Sequence, residues 1–278
     1  MSFQLVMAQL GSTDDKQVNL NKAEQALSEA VGVHHADIVV FPEVFMSYFA
    51  VGTPREVKLQ DAEKLDGLFV TGMRELSRKY GVWTIFGMRE PSEDPQDDRV
   101  YNSVVIVDAA GEIVSTYRKT HLYDAFGAKE SVSIKPGDSL FHPVKTPFGT
   151  IGLLVCYELR FPEISRYQAV HGADVIIVPS GWVRGPLKEK HWLHLVTTRA
   201  LENTAFVVAC NQVNDFYIGQ SLIVDPMGVA VAQGDETESL IPYRIDLDRV
   251  QEVRTKLPSH VHLRPELYHA KVGSETHV

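Results

Sequence analysis

The chain has 278 residues, of which 44% are hydrophobic, and a formal net charge of −9. This length and composition fit one large α/β domain with a sizeable core. The acidic balance and the lack of a basic stripe argue against nucleic acid as a partner.

Two cysteines, Cys156 and Cys210, are too few for a disulfide framework and favour a reducing compartment. The N-terminal segment MSFQLVMAQLGSTDD has no charged region before its apolar run, unlike a secretory signal. No stretch approaches the roughly 18 apolar residues that a membrane helix needs. We therefore expect a cytoplasmic protein that is not bound to a membrane.

In the first half of the chain, predicted helices separate the first three predicted strands. Alternating and β-branched apolar residues predict strands at residues 3–9, 37–41, 82–87, 100–107 and 113–117. Apolar residues at helical spacing mark two helices, one through Ala23, Ala26, Leu27 and Ala30, the other through Leu65, Leu68, Phe69 and Leu76. Gly81 is placed to cap the second of these helices.

In the second half, several predicted strands follow one another without a helix between them. Strands are predicted at residues 151–155, 174–178, 205–210, 219–224, 229–232 and 240–245, and helices at 162–171, 188–203 and 246–256. Strand pairs without a helix require antiparallel neighbours, so we expect a mixed sheet, or two packed sheets with helices outside. No linker or repeat divides the chain, which predicts a single domain over residues 1–278 with 258–278 as a C-terminal tail.

Four polar residues lie just past the ends of predicted strands or in the loop that follows. Glu43 follows IVVFP, Lys119 follows IVSTYR, and Cys156 follows IGLLV. Glu130 lies in the loop after Lys119. Strand ends on one edge of a sheet lie close in space, so these groups are expected to meet.

This combination of groups fits nucleophilic catalysis by a thiol. A carboxylate can accept the proton of Cys156, because a neutral thiol is a weak nucleophile near pH 7. An ammonium favours the thiolate and then the oxyanion of a tetrahedral intermediate. The backbone N–H of Tyr157, at the start of the next helix, is a second oxyanion donor. A strand-end cysteine taken alone, however, is more often an inert buried side chain.

Three motifs of the chain resemble signatures of one known family. FPEVF, YRKTHLYD and LLVCYELRFPE look like the three signatures of the nitrilase superfamily, the carbon–nitrogen hydrolases, in the family's order. KESVSIKPGD resembles the segment that carries a second glutamate in that family. The resemblance extends from about residue 3 to about residue 250.

The resemblance implies a four-layer αββα sandwich with mixed sheets, usually assembled as dimers or higher oligomers. It implies a catalytic triad at the positions of Glu43, Lys119 and Cys156, with Glu130 in a supporting role. It implies neither a metal nor an organic cofactor.

The expected function is a cysteine-dependent amidase. It would cleave a small amide to a carboxylate and ammonia through a thioester on Cys156. The alternatives are an N-carbamoyl amine or amino acid hydrolase and a true nitrilase. Nitrile-cleaving members tend to carry Trp where this chain has Tyr157. A serine hydrolase would need G-x-S-x-G, which does not occur. A catalytically inactive scaffold on the same fold is the alternative from a different class.

The loop SGWVRGPLKEK follows a predicted strand and should lie over the same sheet edge as Cys156. Trp182 is expected to form an apolar wall of the pocket, and Arg184 or Lys188 to pair with a substrate carboxylate. The alternative is that both cations are solvated loop charges.

In the resembled fold, the helices predicted near residues 161–171 and 188–203 pack against a second copy. The second of these helices carries apolar residues on more than one face. We therefore expect a homodimer or a higher homo-oligomer.

Three further groups needed an interpretation. Cys210 lies in the apolar run AFVVAC and is expected in the core. His191 and His194 are three residues apart, and without further ligands they are expected at the surface or an interface. For Glu158 the sequence allows two alternatives: the side chain points into the site, or it pairs with Arg160 or Arg166.

Overall fold

The computed structural model describes residues 1–50, 52–94 and 96–267 and contains two six-stranded sheets within them. Of the expected tail, residues 268–278 lie outside the described residues. The elements of the first half are β1 (Ser2–Gln9), α1 (Lys16–Gly32), β2 (Ile38–Val40), α2 (Arg55–Gln60), α3 (Leu68–Tyr80), β3 (Trp83–Pro91), β4 (Val100–Val107) and β5 (Ile113–Arg118). Those of the second half are β6 (Val144–Thr146), β7 (Gly149–Leu153), α4 (Pro162–Val170), β8 (Val175–Ser180), α5 (Lys188–Asn203), β9 (Phe206–Asn211), β10 (Leu222–Val224), β11 (Ala230–Gln233), β12 (Ser239–Asp246) and α6 (Leu247–Lys256).

The two sheets share one plan. The first has the strand order β12-β1-β2-β3-β4-β5 and the second β11-β10-β9-β8-β7-β6. In each sheet the three central strands are parallel and the outer strands pair antiparallel. Both sheets are therefore mixed, as the sequence predicted.

The layers of the fold follow from the side chains of each strand, which point alternately to the two faces of its sheet. In β1, Leu5 and Met7 belong to the apolar cluster shared with the second sheet, whereas Val6 and Ala8 pack with α1 and α3. On the other side, α4 and α5 cover the second sheet with residues such as Trp192. Helix, sheet, sheet and helix thus stack in four layers, which confirms the predicted αββα sandwich.

Local signals fix several helix ends. The side chain of Asp15 caps α1 by accepting from the backbone N–H groups of Gln17 and Val18. Gly81 ends α3 with a φ of +64°, a conformation that glycine adopts without steric cost. The side chain of Asp246 caps α6 as predicted.

Two short elements were absent from the predictions. Helix α2 has no buried residue, so it leaves no apolar periodicity in the sequence. Strand β6 has three residues and pairs only with β7. The predicted strand over 151–155 also differs, because regular pairing ends at Leu153 and the chain then turns to present Cys156.

Within the described residues, none of the helices combines the length and the apolar character needed to cross a bilayer.

Candidate active site

A cavity of about 330 Å³ opens where β2, β5, β7 and β8 end. Its lining includes seven of the candidate site residues from the sequence: Glu43, Lys119, Glu130, Cys156, Tyr157, Trp182 and Lys188. Residues from both sheets therefore meet at one opening.

Glu43 lies in the turn after β2, and its carboxylate accepts three hydrogen bonds. Oε1 accepts from Lys119 Nζ at 2.9 Å and from Asn102 Nδ2 at 2.7 Å. Oε2 accepts from the backbone N–H of Gly181 at 2.7 Å. Three donors from three separate segments hold this carboxylate in one orientation.

The turn that carries Glu43 packs against the backbone of β3. A Cβ at Gly87 would lie 2.2 Å from the backbone nitrogen of Val44. Only glycine allows this approach, so Gly87 contributes to placing the Glu43 turn.

Lys119 follows β5 and is almost fully buried. Its Nζ donates to Glu43 and to both carboxylate oxygens of Glu130, at 3.1 and 3.0 Å. Burial alone would lower the pKa of the Lys119 ammonium, but the Glu130 and Glu43 carboxylates outweigh it and hold that pKa well above its ordinary value. The side chain is therefore a fixed positive charge at neutral pH.

Glu130 also orders the loop that follows Lys119. Its Oε2 accepts from the backbone N–H of Tyr123 at 2.6 Å, and Asn102 Nδ2 donates to its Oε1 at 3.3 Å. One carboxylate thus contacts both the lysine and the loop that lines the cavity.

Cys156 opens a 3₁₀ helix, Cys156–Arg160, with a φ of +47°. A non-glycine residue in this region costs about 1–3 kcal/mol, so the surrounding structure must hold the turn in place. Burial raises the pKa of the Cys156 thiol well above its ordinary value, the Glu43 charge adds to this, and the Lys119 ammonium lowers it. The resting thiol is therefore neutral and lies beside a carboxylate that can take its proton.

Tyr157 is in the first turn of that 3₁₀ helix. Its backbone N–H has no acceptor within the helix, as is general for the first turn. Its ring lines the cavity and contacts the ring of Tyr123, with centroids 5.2 Å apart. Among the described residues this N–H has no backbone acceptor, and its role as an oxyanion donor stays a prediction.

Glu158, left open by the sequence, pairs with neither Arg160 nor Arg166. Its fully buried carboxylate accepts from Tyr117 Oη and the backbone N–H of Thr120 through Oε1, and from the backbone N–H of Val155 through Oε2. Burial opposes ionisation, but the hydrogen bonds from His121, Tyr117, Thr120 and Val155 outweigh it and lower the pKa of Glu158. This carboxylate links the Cys156 turn to the segment around Lys119.

Cations and aromatic rings form one wall of the cavity. Lys188 Nζ lies 4.0 Å from the ring centroid of Phe126 and donates to Tyr123 Oη at 2.8 Å. The guanidinium carbon of Arg160 lies 5.1 Å from the ring of Trp182. Burial and the Arg160 charge lower the pKa of Lys188. We call Arg160 and Lys188 the cation pair.

Arg184 does not line this cavity, unlike the sequence expectation. Its Nε donates to the backbone oxygen of Asn214 at 3.3 Å, and its guanidinium lies 3.9 Å from Glu236. The reason is the bridge between Val183 and Tyr217, which places Arg184 beside the neighbouring segment. The backbone N–H of Arg184 donates to the oxygen of Phe216 at 2.8 Å, and its side chain is taken up by Asn214 and Glu236.

Sequence reasoning missed Asn102, Arg89 and Tyr217, which also line the cavity. Asn102 is a polar residue inside the buried strand β4, and that interruption was the available signal. Burial, followed by the Glu43 charge, raises the pKa of Tyr217. Arg89 lies near the end of β3, and nothing in its local sequence distinguishes it from a surface charge.

The remaining predictions concern residues outside this cavity. The Cys210 thiol lies between the sheets, 3.1 Å from the backbone oxygen of Val40, so its place in the core is confirmed. His194 is exposed and His191 is half-buried, as expected. The described residues contain no group of three or more His, Cys, Asp or Glu suited to holding a metal ion.

The chain is similar to known proteins over most of its length. The family model described as carbon-nitrogen hydrolase matches residues 5–255. The deaminated glutathione amidase of Escherichia coli O157:H7 is 38% identical over 203 residues, covering 73% of this chain and 76% of that relative. The deaminated glutathione amidase of Mus musculus is 36% identical over 278 residues, covering 95% and 84%. The crystal structure of the Caenorhabditis elegans NitFhit protein matches with a TM-score of 0.85 at 31% identity, covering 96% of this chain and 66% of that one.

Proposed function

The chain belongs to the carbon–nitrogen hydrolase family, and from that membership we propose that Glu43, Lys119 and Cys156 hydrolyse an amide in the cavity. The family predicted from three sequence motifs is confirmed, and the protein is a hydrolase of the amidase kind. The observation that carries the catalytic assignment is the buried Lys119 ammonium, which bridges Glu43 and Glu130 beside the Cys156 thiol.

In the first step, Glu43 acts as a general base. Oε1 of Glu43 already accepts from Lys119 and Asn102, whereas Oε2 accepts from the backbone N–H of Gly181. We therefore assign to Oε2 the role of taking the thiol proton as sulfur attacks the amide carbon. A carbon–sulfur bond forms, and the carbonyl π electrons move to oxygen.

The oxyanion then lies against fixed positive groups. Lys119 and the backbone N–H of Tyr157 stabilise the oxyanion of the tetrahedral intermediate. As the carbonyl re-forms, the carbon–nitrogen bond breaks and Glu43 returns the proton to the departing amine. The product of this half-reaction is a thioester on Cys156.

The second half-reaction uses the same groups. Glu43 takes a proton from water, the hydroxyl oxygen attacks the thioester, and the thiol leaves with the proton that Glu43 held. The acyl group departs as a carboxylic acid. Besides the substrate and one water molecule, these steps need no further reactant to balance.

The cation pair suggests the class of acyl group. Arg160 and Lys188 present positive charge to the cavity, and a guanidinium can bind a carboxylate through two hydrogen bonds. By their names, the relatives from Escherichia coli O157:H7 and Mus musculus are amidases of deaminated glutathione. We therefore propose an amide whose acyl part carries a carboxylate, with Arg160 in the role first expected of Arg184.

Two further parts of the proposal concern the state of the protein. Both cysteines are free and buried, which fits a reducing cytoplasm. A homodimer is supported by an apolar patch made of Leu193, Leu201, Met227 and Val229, all exposed. The patch lies on α5 and on the turn between β10 and β11, and a Cβ at Gly228 in that turn would lie 3.2 Å from Leu201.

The test compares the two thiols. Cys156→Ala should abolish turnover of an acyl amide and leave unfolding unchanged, whereas Cys210→Ala should retain activity at a modest cost in stability. Mass spectrometry of the wild type during turnover should find an acyl adduct on the peptide that contains Cys156. Lys119→Ala should lose on the order of 10²–10³ in rate. Turnover by Cys156→Ala, or an adduct on Cys210 alone, would contradict the assignment.

A further inference from the structure

We propose that Gln212 is a positioning residue for the general base Glu43, because its buried amide holds the strained peptide bond between Glu43 and Val44. The inference rests on the proposed amidase function and deepens it. Gln212 follows β9 in the second sheet, whereas Glu43 follows β2 in the first. Gln212 is 1% exposed and is not among the described residues that line the cavity, so it would act on the reaction only through Glu43.

The turn that carries Glu43 contains a strained residue. Val44 has a φ of +49°, in the left-handed region that β-branched side chains rarely adopt. Such a conformation persists only where the surrounding structure holds it. On one side of the turn, Gly87 approaches the backbone nitrogen of Val44 so closely that only glycine fits. The carbonyl of the same peptide bond, which belongs to Glu43, must be held by another group.

Gln212 holds this carbonyl. Its Nε2 donates to the backbone oxygen of Glu43 at 2.9 Å, and its Oε1 accepts from the backbone N–H and the hydroxyl of Ser12 at 3.0 and 2.9 Å. The N–H of Ser12 can only donate and the carbonyl of Glu43 can only accept, so the orientation of the amide is fixed. Among the described residues, no other group donates a hydrogen bond to the backbone oxygen of Glu43.

The backbone of Gln212 is itself anchored in the second sheet. Its N–H donates to the oxygen of Ser180 at 2.9 Å, and its oxygen accepts from the N–H of Gly219 at 3.1 Å. Ser180 ends β8, and the next residue, Gly181, donates to Oε2 of Glu43. The second sheet therefore holds Glu43 at two points, the backbone oxygen through Gln212 and the carboxylate through Gly181.

Loss of the Gln212 contact would free the strained peptide bond to relax. The carboxylate of Glu43 would then shift relative to the Cys156 thiol, although Lys119 and Asn102 still donate to it. A displacement of about 1 Å at a reacting group can cost roughly 10² in rate. The groups that bind the substrate would stay in place, so the effect should fall on kcat.

The experiment measures kcat and KM for glutaramate, an amide whose acyl part carries a carboxylate. Gln212→Met keeps the length of the side chain and removes all its polar atoms. We expect kcat to fall roughly 10²-fold and KM to stay close to the wild-type value. Gln212→Asn keeps an amide that is one methylene too short to reach Ser12 and Glu43 together. It should lower kcat in the same way and serves if Gln212→Met does not fold.

Gln9→Met is the matched control. Gln9 is also fully buried and also makes three hydrogen bonds: its Nε2 donates to the backbone oxygens of Asp235 and Thr237, and its Oε1 accepts from the N–H of Ser221. None of these partners is among the described residues that line the cavity. Gln9→Met should therefore lower Tm about as much as Gln212→Met, because equal numbers of buried groups lose their partners, and should keep kcat near the wild-type value.

A second substitution tests whether the strained peptide bond is what Gln212 holds. Val44→Gly removes the steric cost of the positive φ, so the native turn no longer depends on being held. Whatever Val44→Gly alone does to kcat, adding Gln212→Met to it should cost about tenfold or less, against roughly 10² in the wild-type background. Circular dichroism and Tm establish that each variant is folded.

The outcomes separate this inference from the proposed function. A folded Gln212→Met with the kcat of Gln9→Met, or an equal loss of kcat with and without Val44→Gly, overturns the role of Gln212 and leaves the amidase standing. A rise in KM with kcat unchanged would also overturn it, because Gln212 would then affect binding rather than the base. Failure of the folded wild type to hydrolyse glutaramate would overturn both.

Discussion

The side chain of Asn102 contacts both carboxylates that are proposed to act in the cavity. Its Nδ2 donates to Glu43 at 2.7 Å and to Glu130 at 3.3 Å. Carboxylates only accept, so the amide nitrogen must face them. Its backbone oxygen also accepts from the N–H of Lys119 at 2.9 Å. Asn102 is thus a positioning residue that contacts Glu43, Lys119 and Glu130.

We predict that Asn102→Asp lowers kcat/KM by roughly 10², the scale of one lost positioned donor. A third carboxylate would replace a donor to Glu43 and would place negative charge beside both Glu43 and Glu130. The measurement is kcat/KM of the wild type and the variant at neutral pH.

Asn19→Asp is the matched control, because Asn19 is a buried amide that donates to Thr13 and Met46 outside the cavity. It should lower stability and leave kcat/KM close to the wild-type value. An unchanged kcat/KM in folded Asn102→Asp would show that Asn102 has only a structural role.

At the scale of elements, the segment between β7 and α4 is held by a carboxylate rather than by strand pairing. Glu158 accepts from the N–H of Val155, just before Cys156, and from the N–H of Thr120, just after Lys119. One carboxylate therefore joins the strained Cys156 turn to the end of β5.

We predict that Glu158→Gln destabilises the protein by about 1–3 kcal/mol at pH 7, because an amide must leave one donor facing another donor. Since hydrogen bonds lower the pKa of Glu158 in the folded state, its contribution is present above the unfolded-state pKa and is lost as pH falls through the folded-state pKa. The difference between wild type and variant should thus shrink below about pH 4.

Urea unfolding at pH 7 and at the lowest pH that keeps the protein folded measures this difference. Glu24→Gln, an exposed partner of Lys79, should change stability by less than about 0.5 kcal/mol. A difference for Glu158→Gln that grows toward low pH would contradict the assignment.

The sequence predicted the positions of helices and strands better than it predicted contacts between side chains. Strong apolar periodicity located α1, α3 and most strands, and Gly81 and Asp246 located helix ends. The family resemblance supplied the four residues that meet in the cavity. The direction of Arg184 could not be predicted, because it depends on the bridge between Val183 and Tyr217, which are 34 positions apart in the chain.

At the scale of the whole molecule, the proposed dimer would use exposed apolar residues of α5 and of the β10–β11 turn. Leu193 and Leu201 lie on α5, Met227 and Val229 lie in the turn, and Gly228 of the turn packs against Leu201. Self-association through a two-fold axis would bury the same patch twice. The cavity lies at the strand ends and includes Lys188, the first residue of α5.

We predict a particle of at least twice the 31.1 kDa chain mass by light scattering at micromolar concentration. Leu201→Glu should shift it toward the monomer, since a charge in an apolar interface is costly. Val33→Glu, at an exposed site after α1, should leave the mass unchanged. A wild-type monomer would refute the dimer.

The pairing of β1 with β12 bears on how the chain folds during synthesis. Ser2 pairs with Asp246 and Gln9 with Ser239, so β1 is synthesised long before β12, its outer neighbour in the sheet. A nascent chain must keep one edge of β1 unpaired while more than 200 residues are added, and open strand edges invite association with other chains. Premature termination before β12 would expose that edge permanently. Ribosome pausing upstream of codon 239 should therefore lengthen the time for which the nascent chain depends on chaperones. Pausing after β12 has emerged from the ribosome should not lengthen it.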